Sequence, residues 1–237
     1  MKTLLSIDTA TDALSLAFQN EAGTRSIHRV MPRKHHQQLF EVMDELLDGE
    51  SLRDLSLDGI IYGKGPGSFT GLRIAVSAAQ GMAYSLGVPL VGVSTLEALA
   101  ATLCAQTDVV VGDEILTMLD ARIEQVYAQG YRRTEIGVEA LNDAAIMTPA
   151  ALALQVSTGR APQHVVGNGL AIADVASIFD DLKAQCWSDV LPEAAMMLPI
   201  GEALLEHGAV EDPVDAHPDY VQQRVGWKTL AEQGKKA

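Results

Sequence analysis

Two short apolar runs that each end in aspartate, Leu4-Leu5-Ser6-Ile7-Asp8 and Ile115-Leu116-Thr117-Met118-Leu119-Asp120, constrain the fold of this chain most. Each is followed by a polar turn and by apolar positions at the same offsets, Leu14 and Leu16 after the first, Val126 and Ala128 after the second. Alternation with period two marks a half-buried strand, so each run reads as the opening strand of a β-hairpin. A hairpin repeated in the second half predicts two related lobes, residues 1–106 and 107–237, although two hairpins this short also arise independently. The 237 residues accommodate either one large domain or two such lobes.

Between the repeats the periodicity changes. Thr24 to Val30 reads as a third strand, and Leu39, Phe40, Val42, Met43, Leu46 and Leu47 recur at helical spacing over Lys34 to Asp48. Leu57 to Tyr62 reads as a buried strand, which the glycine-rich turn Gly63 to Gly71 carries into a helix over Leu72 to Leu86. A strand from Pro89 to Val93 and a helix from Ser94 to Ala105 complete a β-β-β-α-β-α-β-α order. The second half reads as a reduced copy. It has a loop or edge strand over Thr134 to Met147, a helix over Pro149 to Val156, a strand over Gln163 to Val166, a helical stretch from Ile172 to Phe179 and a helix over Ala194 to His207. Residues beyond Leu230 read as a frayed end.

Composition narrows the function. Hydrophobic residues at 48% and charged residues at 20% exclude disorder as the main state, and aromatics at 5% argue against a stacking platform for single-stranded nucleic acid. The net charge of -14 opposes direct binding to phosphate-rich partners. Cys104 and Cys186, with no CxxC and no histidine at metal spacing, read as two buried thiols of a reducing, cytoplasmic compartment. The N-terminal run is broken by Asp8 and Asp12, so it reads as neither a signal peptide nor a membrane span, and no later stretch is apolar enough to span.

Five segments, IDTAT at 7–11, YGKGPGSFTGLR at 62–73, GVSTLEALA at 92–100, LDAR at 119–122 and PDYVQQR at 218–224, resemble the TsaB (YeaZ) family of the actin-like ATPase superfamily, in its glycoprotease-like group. The resemblance implies an α/β, two-lobed actin-like or ribonuclease-H-like fold built from duplicated units, with segment 218–230 packing back towards the first lobe. It further implies a non-catalytic partner of a TsaD-type subunit, which with a TsaE-type ATPase places threonylcarbamoyl on adenosine 37 of tRNA. The chain would then touch tRNA only indirectly, hold no cofactor or metal of its own, and meet ATP or ADP only within the complex. A homodimer through the same surface is the other association implied.

The glycine-rich turn carries the first candidate site. Gly65, Gly67, Ser68 and Thr70 stand where a strand runs into a helix N-terminus, a place suited to an anion. The run is neither a Walker A loop nor GxGxxG; Ser68 or Thr70 would cap the helix or touch a phosphate, and a tight turn with Thr70 as N-cap is the competing reading. By resemblance, Asp8 with Thr9 and Asp120 occupy the superfamily's two phosphate hairpins. Asp120, however, is followed by Ala121 and Arg122 rather than glycine, and pairing with Arg122 is the competing role. Gly167 and Gly169 fit either an adenosine-side turn or an ordinary one. Where the catalytic relative carries two histidines four residues apart, this chain has Thr95 and Leu99, which do not form a metal site.

A Ser68-His35-Asp8 triad lacks the GxSxG elbow of a hydrolase. His35 and His36 diverge on a helix and read as exposed residues of its first turn, or as partner contacts. The helix over Leu72 to Leu86 is apolar nearly all round and needs a second layer, from this chain or from another. By resemblance the partner surface comprises His35, His36, Leu39, Phe40 and Met43 with Ile74, Ala75, Ala78, Ala79 and Met82. The competing activity is that of an independent nucleotide-binding phosphotransferase, and a peptidase is a weaker third.

Overall fold

The computed structural model describes residues 1–221. Strands β1 (Leu4–Asp8), β2 (Ala13–Asn20) and β3 (Gly23–Val30) form an antiparallel meander, as the alternation requires. Helix α1 (His35–Leu46), strand β4 (Gly59–Gly65), helix α2 (Phe69–Leu86), strand β5 (Leu90–Ser94) and helix α3 (Thr95–Gln106) follow. The first sheet has the order β3-β2-β1-β4-β5, with β4 and β5 parallel to β1.

The second half repeats this arrangement around β6 (Glu114–Arg122), which pairs with β7 (Gln125–Arg133). Short strands β8 (Val138–Ala140) and β9 (Ala145–Met147) lie along β7, helix α4 (Pro149–Thr158) follows, and β10 (His164–Val166) and β11 (Gln185–Trp187) run parallel to β6. The sheet order β11-β10-β6-β7-β8 is that of the first sheet with β6 in place of β1. Strand β11 has no counterpart in the sequence reading. The expected helical stretch over Ile172 to Phe179 is broken into single turns, with α5 spanning only Ala173–Ala176.

The helices are exchanged between the sheets. One face of the first sheet is covered by α1 and α2, where Leu5, Ile7, Leu14 and Phe18 pack with Leu39, Met43, Ala75 and Ala79. Its other face receives α6 (Ala194–Glu206) from the far end of the chain, Ala194, Met197 and Leu198 meeting Leu4, Ile61 and Val93. Helix α3 instead covers the second sheet, with Leu96, Leu99 and Leu103 against Ile115, Leu119 and Val166.

Buried hydroxyls fix this crossing, since a buried polar group must find a partner. Ser6 donates to the Ala194 carbonyl at 2.7 Å, Ser15 accepts from the Ala194 N–H at 2.9 Å, and Thr102 of α3 accepts from the Glu193 N–H at 3.0 Å.

Beyond α6 the chain returns along α2 and β4. Tyr62 donates to the Glu211 carboxylate at 2.8 Å, the Gln80 amide donates to the carbonyls of Pro213 and Ala216 at 2.8 and 3.0 Å, and the Asp219 N–H donates to the Lys64 carbonyl at 2.7 Å. Burial and the neighbouring Glu211 both push the Tyr62 phenol up. The expected contact of segment 218–230 continues into residues 222–230, which lie outside the described residues, as does the expected frayed end. Cys104 is half-buried and Cys186 is exposed on β11, which corrects the expectation of two buried thiols.

Candidate functional site

The glycine-rich run begins inside a strand, because β4 continues through Gly65 before Pro66 turns it. Helix α2 then starts at Phe69, and its N-cap is Ser68, whose Oγ accepts from the Gly71 N–H at 3.3 Å. Of the two caps expected, Ser68 holds the place, and the reading with Thr70 as N-cap is corrected: Thr70 stands in the first turn, exposed.

The glycines serve the β1–β2 turn. The Ser68 N–H donates to the Ala10 carbonyl at 2.7 Å, and Thr9 Oγ1 donates to the Gly71 carbonyl at 2.7 Å. A Cβ on Gly67 would collide with the Ala10 carbonyl, and one on Gly71 with the Thr9 carbonyl. The run therefore seats the hairpin turn, backbone against backbone, on the face where an anion cradle was an alternative.

Asp8 lies beneath that seat, fully buried, its carboxylate against Gly63. Oδ1 accepts from the Ala10 N–H at 3.1 Å, while Oδ2 has no partner. Burial pushes the carboxyl up to about 7 and the Ala10 hydrogen bond offsets this only in part. Asp8 and Thr9, expected at the wall of a nucleotide cleft, are both buried under the turn.

The cleft itself, about 390 Å³, lies between the two hairpin turns. Its polar wall includes Asp12, Ser68, Thr70, Asp120, Arg122 and Asn168. Tyr220 closes one side, its ring 5.7 Å from that of Phe69, while the Arg73 guanidinium lies 3.5 Å from the Phe69 ring centre. Of the expected cofactor residues, Gly67, Ser68, Thr70 and Asp120 reach this wall, whereas Asp8, Thr9, Gly65, Gly167 and Gly169 do not.

Asp120 accepts from the Arg122 N–H at 2.7 Å and pairs with its guanidinium at 3.3 Å, so the pairing role describes it. Gly167 and Gly169 lie against Met118 of β6, and the residue between them carries the contact: Asn168 accepts from the Asp120 N–H at 3.0 Å. Asn168, Tyr127, Phe69 and Tyr220 were missed from the sequence. The amide held between two glycines was the available signal for the first. Among the described residues, the carboxylates of Asp12, Asp120 and Asp219 line the cleft with Arg122 as the one cationic side chain, an arrangement that disfavours a polyphosphate.

Thr95 and Leu99 are fully buried, Leu99 against the second sheet. Among the described residues no group of three His, Cys, Asp or Glu side chains gathers to hold a metal.

The second candidate site is a groove of about 550 Å³ between α1 and α2, lined by Phe40, Met43, Leu52, Ala78, Met82 and Leu86 with Asp44, Glu50 and Arg53 among its polar residues. Phe40 is 62% exposed there. The partner surface is corrected in part: His35, Leu39, Ala75 and Ala79 are buried outside the groove lining, where Leu39, Ala75 and Ala79 hold α1 and α2 onto their own sheet, whereas Met43 packs on the sheet and also lines the groove. His35, expected exposed, sits 3.2 Å from the Asp12 carbonyl. Phe40 and His36 are exposed, and Ile74, Ala78 and Met82 are half-buried.

Residues 26–209 match the family described as TsaD, tRNA N6-adenosine threonylcarbamoyltransferase. The chain is 31% identical to the tRNA threonylcarbamoyladenosine biosynthesis protein TsaB of Escherichia coli K12, over 96% of this chain and 97% of that one. It is 27% identical to the protein of the same name from Haemophilus influenzae, over the same shares. The solved structure of YeaZ from Pseudomonas aeruginosa superposes with a TM-score of 0.80 at 29% identity, covering 93% of this chain and all of that one.

Proposed function

The chain belongs to the TsaB (YeaZ) family, and from that premise we propose that it acts in threonylcarbamoyladenosine formation on tRNA as a non-catalytic scaffold and activator of a TsaD-type subunit. The docking surface belongs to the first lobe, residues 1–106, and α6 of the second, residues 107–237, returns to cover that lobe's sheet. The observation that carries this reading is the groove between α1 and α2, where an exposed Phe40 stands beside the small Ala78 and Gly81 and the flexible Met82. Small residues let a partner helix approach closely, and an aromatic at the edge of an apolar groove is a typical anchor. The same surface serves a homodimer when the partner is absent.

Buried Thr95 and Leu99, in place of a ligating pair, support a role without metal-centred transfer. The acidic cleft supports tRNA being held mainly by other subunits, with ATP or ADP and a TsaE-type ATPase joining at the level of the complex. An independent phosphotransferase needs phosphate against the glycine-rich run, where Gly67 and Gly71 instead meet the hairpin backbone.

The test is capture of a purified TsaD-type subunit by the full chain and by Phe40→Asp. Loss of capture with unchanged thermal unfolding supports the docking role. Equal capture by both proteins overturns it.

A further inference from the structure

Among the described residues Asp8 is the only carboxyl side chain that is fully buried, and its Oδ2 atom, turned onto Gly63 of β4, has no hydrogen-bond partner. A buried carboxylate with no counter-charge and unfilled lone pairs is so unfavourable that the group keeps its proton instead. Strands β2 and β4 and helices α2 and α6 pack around β1. Their titratable side chains are Tyr62 and Lys64 of β4, Arg73 and Tyr84 of α2, and Glu202 and Glu206 of α6 with its cap Glu193. None of these sets the proton affinity of Asp8, which burial and the Ala10 N–H alone determine.

What covers Asp8 is small and is held at few points. Ala10 is the pivot: its N–H donates to Asp8 Oδ1 at 3.1 Å, and its carbonyl accepts from the Ser68 N–H at 2.7 Å. Thr9 adds the bond from Oγ1 to the Gly71 carbonyl at 2.7 Å. Ala10, Thr11, Gly67 and Ser68 also line the hairpin cleft, so moving residues 9–11 off α2 opens Asp8 to that cleft. At the far end of the turn the Asp12 carbonyl accepts from the Met31 N–H at 2.9 Å, with His35 Nε2 3.2 Å away. That anchor confines the movement to the three residues.

We propose that Asp8 is a proton-operated latch on the β1–β2 turn: carrying its proton it keeps residues 9–11 seated on the start of α2, and without it the turn lifts so that water from the cleft solvates the carboxylate. Burial pushes the carboxyl up to about 7 from 3.8, which places the latch near neutral pH. The closed turn holds the proton more tightly than the open one. Its extra stability is therefore fully present below the ordinary carboxyl value, shrinks above it, and is exhausted once pH has risen through about 7. The latch needs no partner protein, and it sets how far the hairpin cleft opens.

Amide hydrogen exchange of the full chain, read residue by residue by NMR and corrected for intrinsic rates, tests the latch. Between about pH 5 and pH 8 the Ser68 amide should lose protection on the order of a hundredfold. The carboxyl carbon of Asp8 should titrate with a midpoint of about 7. Low urea separates local from global opening: Ser68 exchange should not respond to it, whereas the Leu116 amide, in a strand paired on both sides, should exchange faster. Asp8→Asn, which keeps the size and the acceptor for Ala10, should leave Ser68 equally protected at both pH values. Should that variant not fold, the wild-type series decides alone. Protection of Ser68 that does not change with pH, or an Asp8 carbon that titrates in the ordinary carboxyl range, overturns the proposal. A loss at Ser68 with the urea response of Leu116 means that the whole chain opens, and overturns the latch. A loss that persists in folded Asp8→Asn assigns the effect to another group, such as His35, and overturns Asp8 as its source.

Discussion

Thr9 donates from Oγ1 to the carbonyl of Gly71 at 2.7 Å, joining the tip of the first hairpin to the first turn of α2. The contact exists because residue 71 has no side chain: a Cβ there would occupy the place of the Thr9 carbonyl. Gly71→Ala should therefore cost about 3 kcal/mol or more in denaturant unfolding, since backbone on both sides must move. Gly81→Ala, in the same helix with open space around it, should be neutral or stabilising by up to about 1 kcal/mol. Equal effects from the two would contradict the seating role of Gly71.

Ser68, not Thr70, caps α2. Ser68→Ala should cost about 1 kcal/mol and Thr70→Ala less than about 0.5 kcal/mol, measured by thermal unfolding. The reverse order would return the cap to Thr70.

Asp8 gives stability a definite pH dependence. Its carboxyl is pushed up to about 7 in the folded chain, above its value in the unfolded chain. Its contribution is fully present below the unfolded value and is lost as pH rises through 7. Between pH 5 and pH 8 the folded state should lose roughly 3 kcal/mol from this group. Asp8→Asn should flatten the difference between unfolding curves at those two pH values, and an unchanged difference would exclude Asp8 as its source.

Tyr62 anchors the returning C-terminal stretch through Glu211 and the His217 carbonyl. Tyr62→Phe should destabilise by about 2 kcal/mol, the scale of a hydrogen bond to a charged group. It should also raise proteolysis between residues 211 and 221. Stability loss without that local exposure would mean the stretch is held by Gln80 and Leu90 instead.

Much of this fold is legible in the sequence because it rests on local periodicity. Leu14, Leu16 and Phe18 alternate, and Leu39, Val42, Met43 and Leu46 recur at helical spacing, so strand and helix follow from which positions must be buried together. Periodicity does not say against what they are buried. Leu39 and Met43 therefore read equally as core or as partner contacts, and the exchange of α3 and α6 between sheets leaves no local mark. Strand β11 was illegible for a related reason: its three residues, Gln185 to Trp187, are ordered by the parallel edge that β10 offers. In the site, GPGSFTG announced a glycine requirement but not its cause, which is a turn more than fifty residues away in sequence, as the span from Ala10 to Gly67 shows.

The groove between α1 and α2 is where the account is most exposed. The dissociation constant of a TsaD-type subunit should be measured by calorimetry for the wild-type chain and for Ala78→Arg, whose folding is checked by unchanged thermal unfolding. A charge without a partner in a closed interface should weaken binding by about 3 kcal/mol, or more than about a hundredfold. An unchanged dissociation constant for a folded Ala78→Arg chain would contradict docking through this groove.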